Sequence, residues 1–323
     1  MEVYSSRKNL VQVAKLYYVA GMSQEEIASI MSISRSKVSR MLALAKELNV
    51  VQFKISEYPS LQSELECQLA GHFGLAPVVV VPSASNIQKT KQRVGAAAAK
   101  LLSYYIEDDM SIGIVWGSTI DCMVDAFEGD VNMEAVNVKC VQMTGGMHVS
   151  NTIADGREIV RRLSNKIGAE SIMLQYPLIV KNPALAELIR TTECPEYFEQ
   201  LKKLDIAFVS MGSCVPEESA SYLGGYITKE ESYELVDKGY AADVCGHRLT
   251  ADGQPADTIL SGRVVSIPLE DLKNTPTVIG MGAGKSKVQS MIAAAKGGYV
   301  TGLVMDEVAA ITIAQQEGLN GVL

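Results

Sequence analysis

At 323 residues, 47% hydrophobic and 20% charged, the chain has the make-up of a two-domain globular protein, and no apolar run in it is long enough to span a membrane. Its six cysteines (Cys67, Cys122, Cys140, Cys194, Cys214 and Cys245) include no C-x-x-C pair and its three histidines lie far apart, so neither a disulfide framework nor a metal site is expected. The net charge of −8 is uneven: residues 1–56 carry eight Lys/Arg against four Asp/Glu and the remainder 21 against 33, which predicts a basic head that meets a polyanion and an acidic body that does not.

The opening "MEVYSSRKNL" has no apolar run of the secretory kind, and a reducing cytoplasm is the expected compartment. Leu10, Val13, Ala14 and Tyr17 then keep helical spacing up to Gly21, which stops a first helix. Ser23 with Glu26 three residues later is a capping box for a second, short helix with Ile27, Ala28 and Met31 inward. After the turn "SIS", Ser34 is placed to cap a third helix that turns Val38, Met41 and Leu42 inward. This order fits a helix-turn-helix whose second helix enters the major groove of DNA. The turn usually has glycine where this chain has Ser32, which must then take a left-handed backbone. Ser34, Arg35, Ser36, Lys37, Ser39 and Arg40 form the outward face, and hydroxyls and cations at a helix N-terminus suit phosphate and base-edge contacts. "VVQFKI" (50–55) is expected to follow as a short strand or wing. The predicted domains are 1–56 for DNA and 57–323 for the body.

From about residue 58 helices and apolar strands alternate. The helix "SLQSELECQLAGHFG" precedes strand "APVVVVP" and the long helix "KTKQRVGAAAAKLLSYYIE"; then come "SIGIVWG", "STIDCMVDAF", "AVNVKCVQM" and "DGREIVRRLSNKIG", and later "DIAFVSMG", "KEESYELVDKG", "PTVIGMG", "KVQSMIAAAKGG", "VTGLVMD" and "EVAAITIAQQEG". Continuous apolar strands between helices predict an α/β fold with a doubly wound, mainly parallel sheet covered on both faces. In such sheets ligands bind outside the carboxyl ends of the strands. Several strand ends here are small and polar: "WGST" (116–119), "TGG" (144–146), "GS" (212–213) and "GMGAGKSK" (280–287). The last resembles a nucleotide loop but fails both spacings. Three residues, not four, separate Gly280 from Gly284-Lys285-Ser286, and Lys285 stands where a dinucleotide loop has its third glycine. A strand, a glycine turn and a lysine-rich helix start remain, a geometry that holds phosphate without hydrolysing a nucleotide. Gly117, Ser118 and Thr119 can offer backbone N–H and hydroxyl groups, Lys285 or Lys287 a cation, and Asp243 an acceptor for ligand hydroxyls or a helix-cap carboxylate.

The chain resembles the SorC family of bacterial sugar-responsive transcriptional regulators along nearly its whole length. The likeness is carried by "LYYVAGMSQEEIASIMSISRSKVSRML", "GIVWGST", "GYAADVCGHRLTADG" and, most specifically, "KSKVQSMIAAAKGGYVTGLVMDEVAA". It implies an effector domain similar in fold to sugar-phosphate isomerases and deaminases, binding a phosphorylated sugar or polyol, in a homo-oligomer built as a dimer of dimers that binds operator DNA. It implies effector contacts from Gly117, Ser118, Thr119, the paired glycines Gly145 and Gly146, Asp243 and, in preference to Lys285, Lys287. Some relatives have a basic residue before the paired glycine, where it contacts effector or forms a Schiff base. Thr144 stands there here, so the expected effector carries one phosphate and is not captured covalently. No cofactor, metal or catalytic residue is implied. The alternative, an active isomerase or deaminase with an accessory head, needs a general base and acid at the rim, where the candidates are Asp243, Asp121 and His148.

Overall fold

Caps and one left-handed serine shape the amino-terminal unit. The computed structural model describes residues 7–51, 64–128, 135–147 and 155–319, and the chain divides into two units, residues 1–61 and 62–323. In the first, α1 (Arg7–Ala14) runs through a π-helical turn (Lys15–Val19) towards Gly21, and α2 (Gln24–Ile30) and α3 (Arg35–Glu47) follow. The capping box is formed: Glu26 N–H donates to Ser23 Oγ at 3.3 Å and Ser23 N–H to Glu26 Oε2 at 2.8 Å. Ser32 has φ +51°, the left-handed turn that the sequence requires of it. Leu10, Val13, Ile27, Val38, Met41, Leu42 and Ala45 bury one shared core. One detail differs. Ser34 is the N-cap residue of α3 by backbone, but its hydroxyl pairs with Ser36 Oγ at 3.1 Å and caps no N–H group. Residues 52–55 of the expected wing lie outside the described residues.

The body starts with α4 (Glu64–Phe73), β1 (Val78–Val81), α5 (Ile87–Tyr105), β2 (Ser111–Ile114), α6 (Ser118–Ala126) and β3 (Lys139–Gln142), followed by α7 (Gly156–Ile167) and β4 (Glu170–Ile172). Two short helices, α8 (Pro183–Leu188) and α9 (Pro195–Leu201), lie where the apolar pattern predicts no element; each opens on proline, which suits a first helical turn because it has no N–H to leave unpaired. Then come β5 (Ile206–Ser210), α10 (Ala220–Leu223), α11 (Lys229–Asp237), β6 (Tyr240–Val244), β7 (His247–Thr250), α12 (Leu269–Asn274), β8 (Thr277–Gly282), α13 (Val288–Lys296), β9 (Gly302–Asp306) and α14 (Glu307–Gln316).

Among the described residues the main sheet has seven strands in the order β1-β9-β8-β5-β2-β3-β4, all parallel. The buried runs of β2 and β9 show a sheet covered on both faces, as continuous apolar strands predict. β1 is the exception: its four valines read as an interior strand, yet it lies at the edge and only Val78 is fully buried. The outer N–H of Val80 is satisfied by the Glu66 carboxylate at 2.6 Å. β6 and β7 form a separate antiparallel hairpin whose turn residues Cys245 and Gly246 both have positive φ.

Strand order reverses between β2 and β5. The chain moves outward through β3 and β4, then returns to pair β5 on the other side of β2. Helices α5 and α6 border the opening that results, and they cross closely at Gly95. A Cβ there would lie 2.6 Å from the Cys122 carbonyl carbon and 2.7 Å from Met123 N. Gly95→Ala should therefore destabilise the body by roughly 1–3 kcal/mol through overpacking, although alanine in an open helix is favoured over glycine by about 1 kcal/mol. Urea unfolding of the full chain checks the sign, and a stabilised variant would contradict the close crossing.

Candidate functional site

A cleft of about 430 Å³ opens at the reversal. Its floor is the carboxyl end of β2, β5 and β8, where open parallel sheets bind ligands. Ser210, the last residue of β5, donates its hydroxyl to the Trp116 carbonyl at 3.0 Å and ties the two strand ends together. Gly117 follows with φ +143°, a conformation that side chains rarely adopt, and a Cβ there would meet Ser210 Oγ at 2.8 Å. Being glycine, it leaves the start of α6 without a side-chain cap, so the first N–H groups of that helix remain available to an anion. The hydroxyls of Ser118 and Thr119 line the cleft and take part in no hydrogen bond among the described residues. The Thr144 hydroxyl also lines it, buried and without a partner among the described residues.

On the opposite wall, Lys287 ends a short 3-10 turn (Lys285–Lys287) that leads into α13. Its ammonium lies 3.1 Å from Glu218 Oε2, with the side chain 19% exposed. Lys285 is exposed and does not line the cleft. The glycine turn before them is held by Asp306, whose Oδ1 accepts from Gly284 N–H at 2.7 Å and whose Oδ2 accepts from Ser83 Oγ at 2.6 Å. Lys91 enters from α5, one turn beyond Gln88. Burial and the neighbouring Lys287 ammonium lower its pKa. Burial alone would raise the Glu218 carboxyl, but the Ser286 hydroxyl, Lys287 and Lys91 hold it below its ordinary value.

Asp243 reaches the cleft from β6, so it is a strand residue and not a helix cap. Gly212 and Asp243 exchange backbone hydrogen bonds at 2.9 and 3.2 Å, which docks the hairpin on the end of β5. The carboxylate is 9% exposed; Oδ2 pairs with Arg248 Nη1 at 2.5 Å and Oδ1 accepts from Gly246 N–H at 2.8 Å. Arg248, 1% exposed, also donates to Ser221 Oγ at 2.5 Å.

Gly117, Ser118, Thr119, Asp243 and Lys287 thus come together, from positions up to 170 residues apart in sequence. Gly145 and Gly146 do not line the cleft. They pair by backbone with Val265 and Tyr176, and a Cβ on Gly145 would lie 2.6 Å from the Pro177 backbone, so close packing accounts for glycine at position 145. Of the three acid–base candidates, Asp121 points away into an ion pair with Arg162 at 2.8 Å, and His148 lies outside the described residues. Sequence reasoning missed Lys91, Glu218, Thr144 as an unpartnered hydroxyl, and Asp306. The (i, i+3) pair Gln88–Lys91 was the one available signal.

In the amino-terminal unit, Ser34, Arg35, Ser36, Ser39 and Arg40 are exposed and Lys37 is half-buried. The first turn of α3 carries no acidic residue, so the positive end of the helix dipole is uncompensated from within. Arg35 pairs with Glu25 of α2 at 2.8 Å and Arg40 Nε donates to the Ser36 carbonyl at 3.3 Å. Both are solvent-exposed contacts of small net strength that a phosphate can replace.

Removing one half of the Asp243–Arg248 pair leaves a charge buried. Arg248→Met should destabilise the body by about 3–5 kcal/mol, and the double variant Asp243→Asn/Arg248→Met should recover part of that loss. Urea unfolding of the three proteins checks this; a neutral single variant would show that the pair is open to water.

Comparison with known proteins gives the fold and cleft a context. The sequence pattern of the sugar-binding domain family matches residues 58–315. The sorbitol operon regulator of Klebsiella pneumoniae is 27% identical over 94% of this chain and 96% of its own length. The deoxyribonucleoside regulator of Bacillus subtilis is 27% identical over 92% and 94%. The crystal structure of the full-length Klebsiella sorbitol operon regulator superposes with a TM-score of 0.82, 25% identity, and coverage of 95% of this chain and 98% of that one. With four-fifths of its length inside the sugar-binding pattern and near full-length likeness to such regulators, this chain belongs to the SorC family of sugar-responsive transcriptional regulators.

Proposed function

We propose that the cleft binds one phosphorylated sugar or polyol and that its occupancy sets the affinity of α3 for operator DNA. Residues 1–56 act as the DNA-binding domain and residues 57–323 as the effector-binding and oligomerisation domain of a cytoplasmic homo-oligomer, a dimer of dimers. The supporting observation is the grouping of a half-buried lysine, an uncapped helix start at Gly117 and the free hydroxyls of Ser118 and Thr119 around one space. Phosphate oxygens suit that set, since helix N–H groups, hydroxyls and an ammonium all donate. Asp243 presents its carboxylate to sugar hydroxyls, oriented by Arg248. Gly145 and Gly146 contribute by backbone, holding Thr144 at the rim. Effector shifts the equilibrium between DNA-competent and incompetent assemblies by binding them unequally. The isomerase alternative has no support in the acid–base geometry: of its candidates among the described residues only Asp243 faces the cleft, and it is committed to Arg248.

Lys287→Ala should weaken binding of a sugar phosphate by about one to two orders of magnitude, the value of a charge-assisted hydrogen bond, and leave effector-free operator binding nearly unchanged. Lys285→Ala should change little. Calorimetric titration of both variants decides, and equal affinities for wild type and Lys287→Ala would remove the phosphate role.

Arg35→Ala and Arg40→Ala should each weaken operator binding by about 1–3 kcal/mol if the side chain reads a base edge, with effector affinity unchanged. Fluorescence anisotropy on labelled operator DNA measures it. Unchanged affinity in both variants would mean that another surface meets the DNA.

A further inference from the structure

The cleft carries one more positive charge than a single-lysine phosphate site needs. Lys91 is half-buried, lines the cleft, and makes no hydrogen bond among the described residues. It shares the cleft with Lys287, of like sign, and with Glu218, and feels the charge of both. Two ammonium groups converging on one partly buried space repel each other, and an arrangement of this kind persists where an anion offsets it. In this structure Glu218 supplies that anion. Its carboxylate accepts from Lys287 Nζ at 3.1 Å and from the Ser286 hydroxyl, and feels the charge of Lys91. One carboxylate brings a single negative charge to two ammonium groups. A phosphate monoester brings about −1.5 to −2 at neutral pH, with three acceptor oxygens.

Glu218 is also the member of this group best placed to leave. It is 38% exposed and ends a three-residue 3-10 turn, Pro216–Glu218, that belongs to no strand. The adjacent Glu217 is tied elsewhere, to Lys229 of α11 at 3.6 Å. Immediately beyond the turn, α10 carries Ser221, whose Oγ accepts from Arg248 Nη2 and so touches the Asp243 pair. A carboxylate leaving Lys287 therefore frees a segment attached at its other end to the sugar-facing side of the cleft.

We propose that Lys91 and Lys287 together hold one dianionic phosphate group, and that this group binds by displacing the Glu218 carboxylate from Lys287. The inference rests on the reading of the cleft as a phosphorylated-effector site, and it adds a second cation from α5 and a built-in competitor for the ligand. Selectivity follows from it. Oxyanions of charge near two satisfy both lysines, whereas a singly charged carboxylate only exchanges with Glu218 on equal terms.

Inorganic phosphate, titrated into the full-length protein and followed by calorimetry, tests the exchange with four variants: Glu218→Gln, Lys91→Gln, Lys91→Arg and Lys287→Gln. Glu218→Gln should bind phosphate about tenfold more tightly, since the amide does not compete for the ammonium groups. Lys91→Gln should bind about tenfold more weakly, and Lys91→Arg, which keeps the charge, should regain most of the loss. Phosphate affinity unchanged or lowered in Glu218→Gln would overturn displacement. Unchanged affinity in Lys91→Gln beside a loss in Lys287→Gln would overturn the two-lysine cradle while leaving the phosphorylated-effector reading intact. Phosphate affinity indifferent to all four substitutions would overturn that reading and this inference with it.

Discussion

Strands β2 and β5 lie side by side although β3 and β4 separate them in the chain, and the crevice opened by that reversal decides where every ligand-facing group of the body must sit. Parallel strands leave their carboxyl ends on one rim, and at a reversal the helices that follow diverge to opposite faces. Ser210 bridges the two strand ends by its hydrogen bond to Trp116, which brings Gly117 so close that a side chain there has no room. Glycine at that point is what leaves α6 uncapped. The helix start, its hydroxyls and the empty backbone donors are thus consequences of strand order, and the lysines opposite complete a surface of donors.

The charges around that rim differ in kind. Asp243 and Arg248 are both nearly inaccessible and bonded at each end, so they fix the hairpin against β5 and present a carboxylate in one orientation. Buried pairs of this type contribute more to geometry than to net stability. Lys91, Lys287 and Glu218 are half-exposed and unequal in number, which makes them exchangeable. A buried, fixed carboxylate beside partly exposed lysines supports the proposal that the cleft recognises sugar hydroxyls and responds to phosphate.

Much of this was legible because it is local. The Ser23–Glu26 box, the inward residues of α3 and the demand on Ser32 all depend on partners within a few positions, and each has the geometry that the sequence predicts. Gly117-Ser118-Thr119 and Lys287 stand on single turns after strands and were legible for the same reason. Lys91, Glu218 and Asp306 were not, because what makes them matter is a neighbour far along the chain: Ser83 and Asp306 are bonded across 223 residues. The "TGG" glycines look the same in sequence as those of the cleft, but Gly145 and Gly146 lie off its lining and Gly145 packs closely against Pro177. The valines of β1 show the same limit, since an apolar run does not say whether a strand lies inside a sheet or at its edge covered by Glu66.

The coupling of cleft to operator is measured most directly by titrating labelled operator DNA with the full-length protein in the presence of a panel of sugar phosphates, polyol phosphates and their unphosphorylated parents. At least one phosphorylated compound should shift the operator dissociation constant by about fivefold or more, the lower end of allosteric coupling, while its unphosphorylated parent leaves the constant unchanged. An equal shift from the parent sugar would contradict a phosphate-reading cleft.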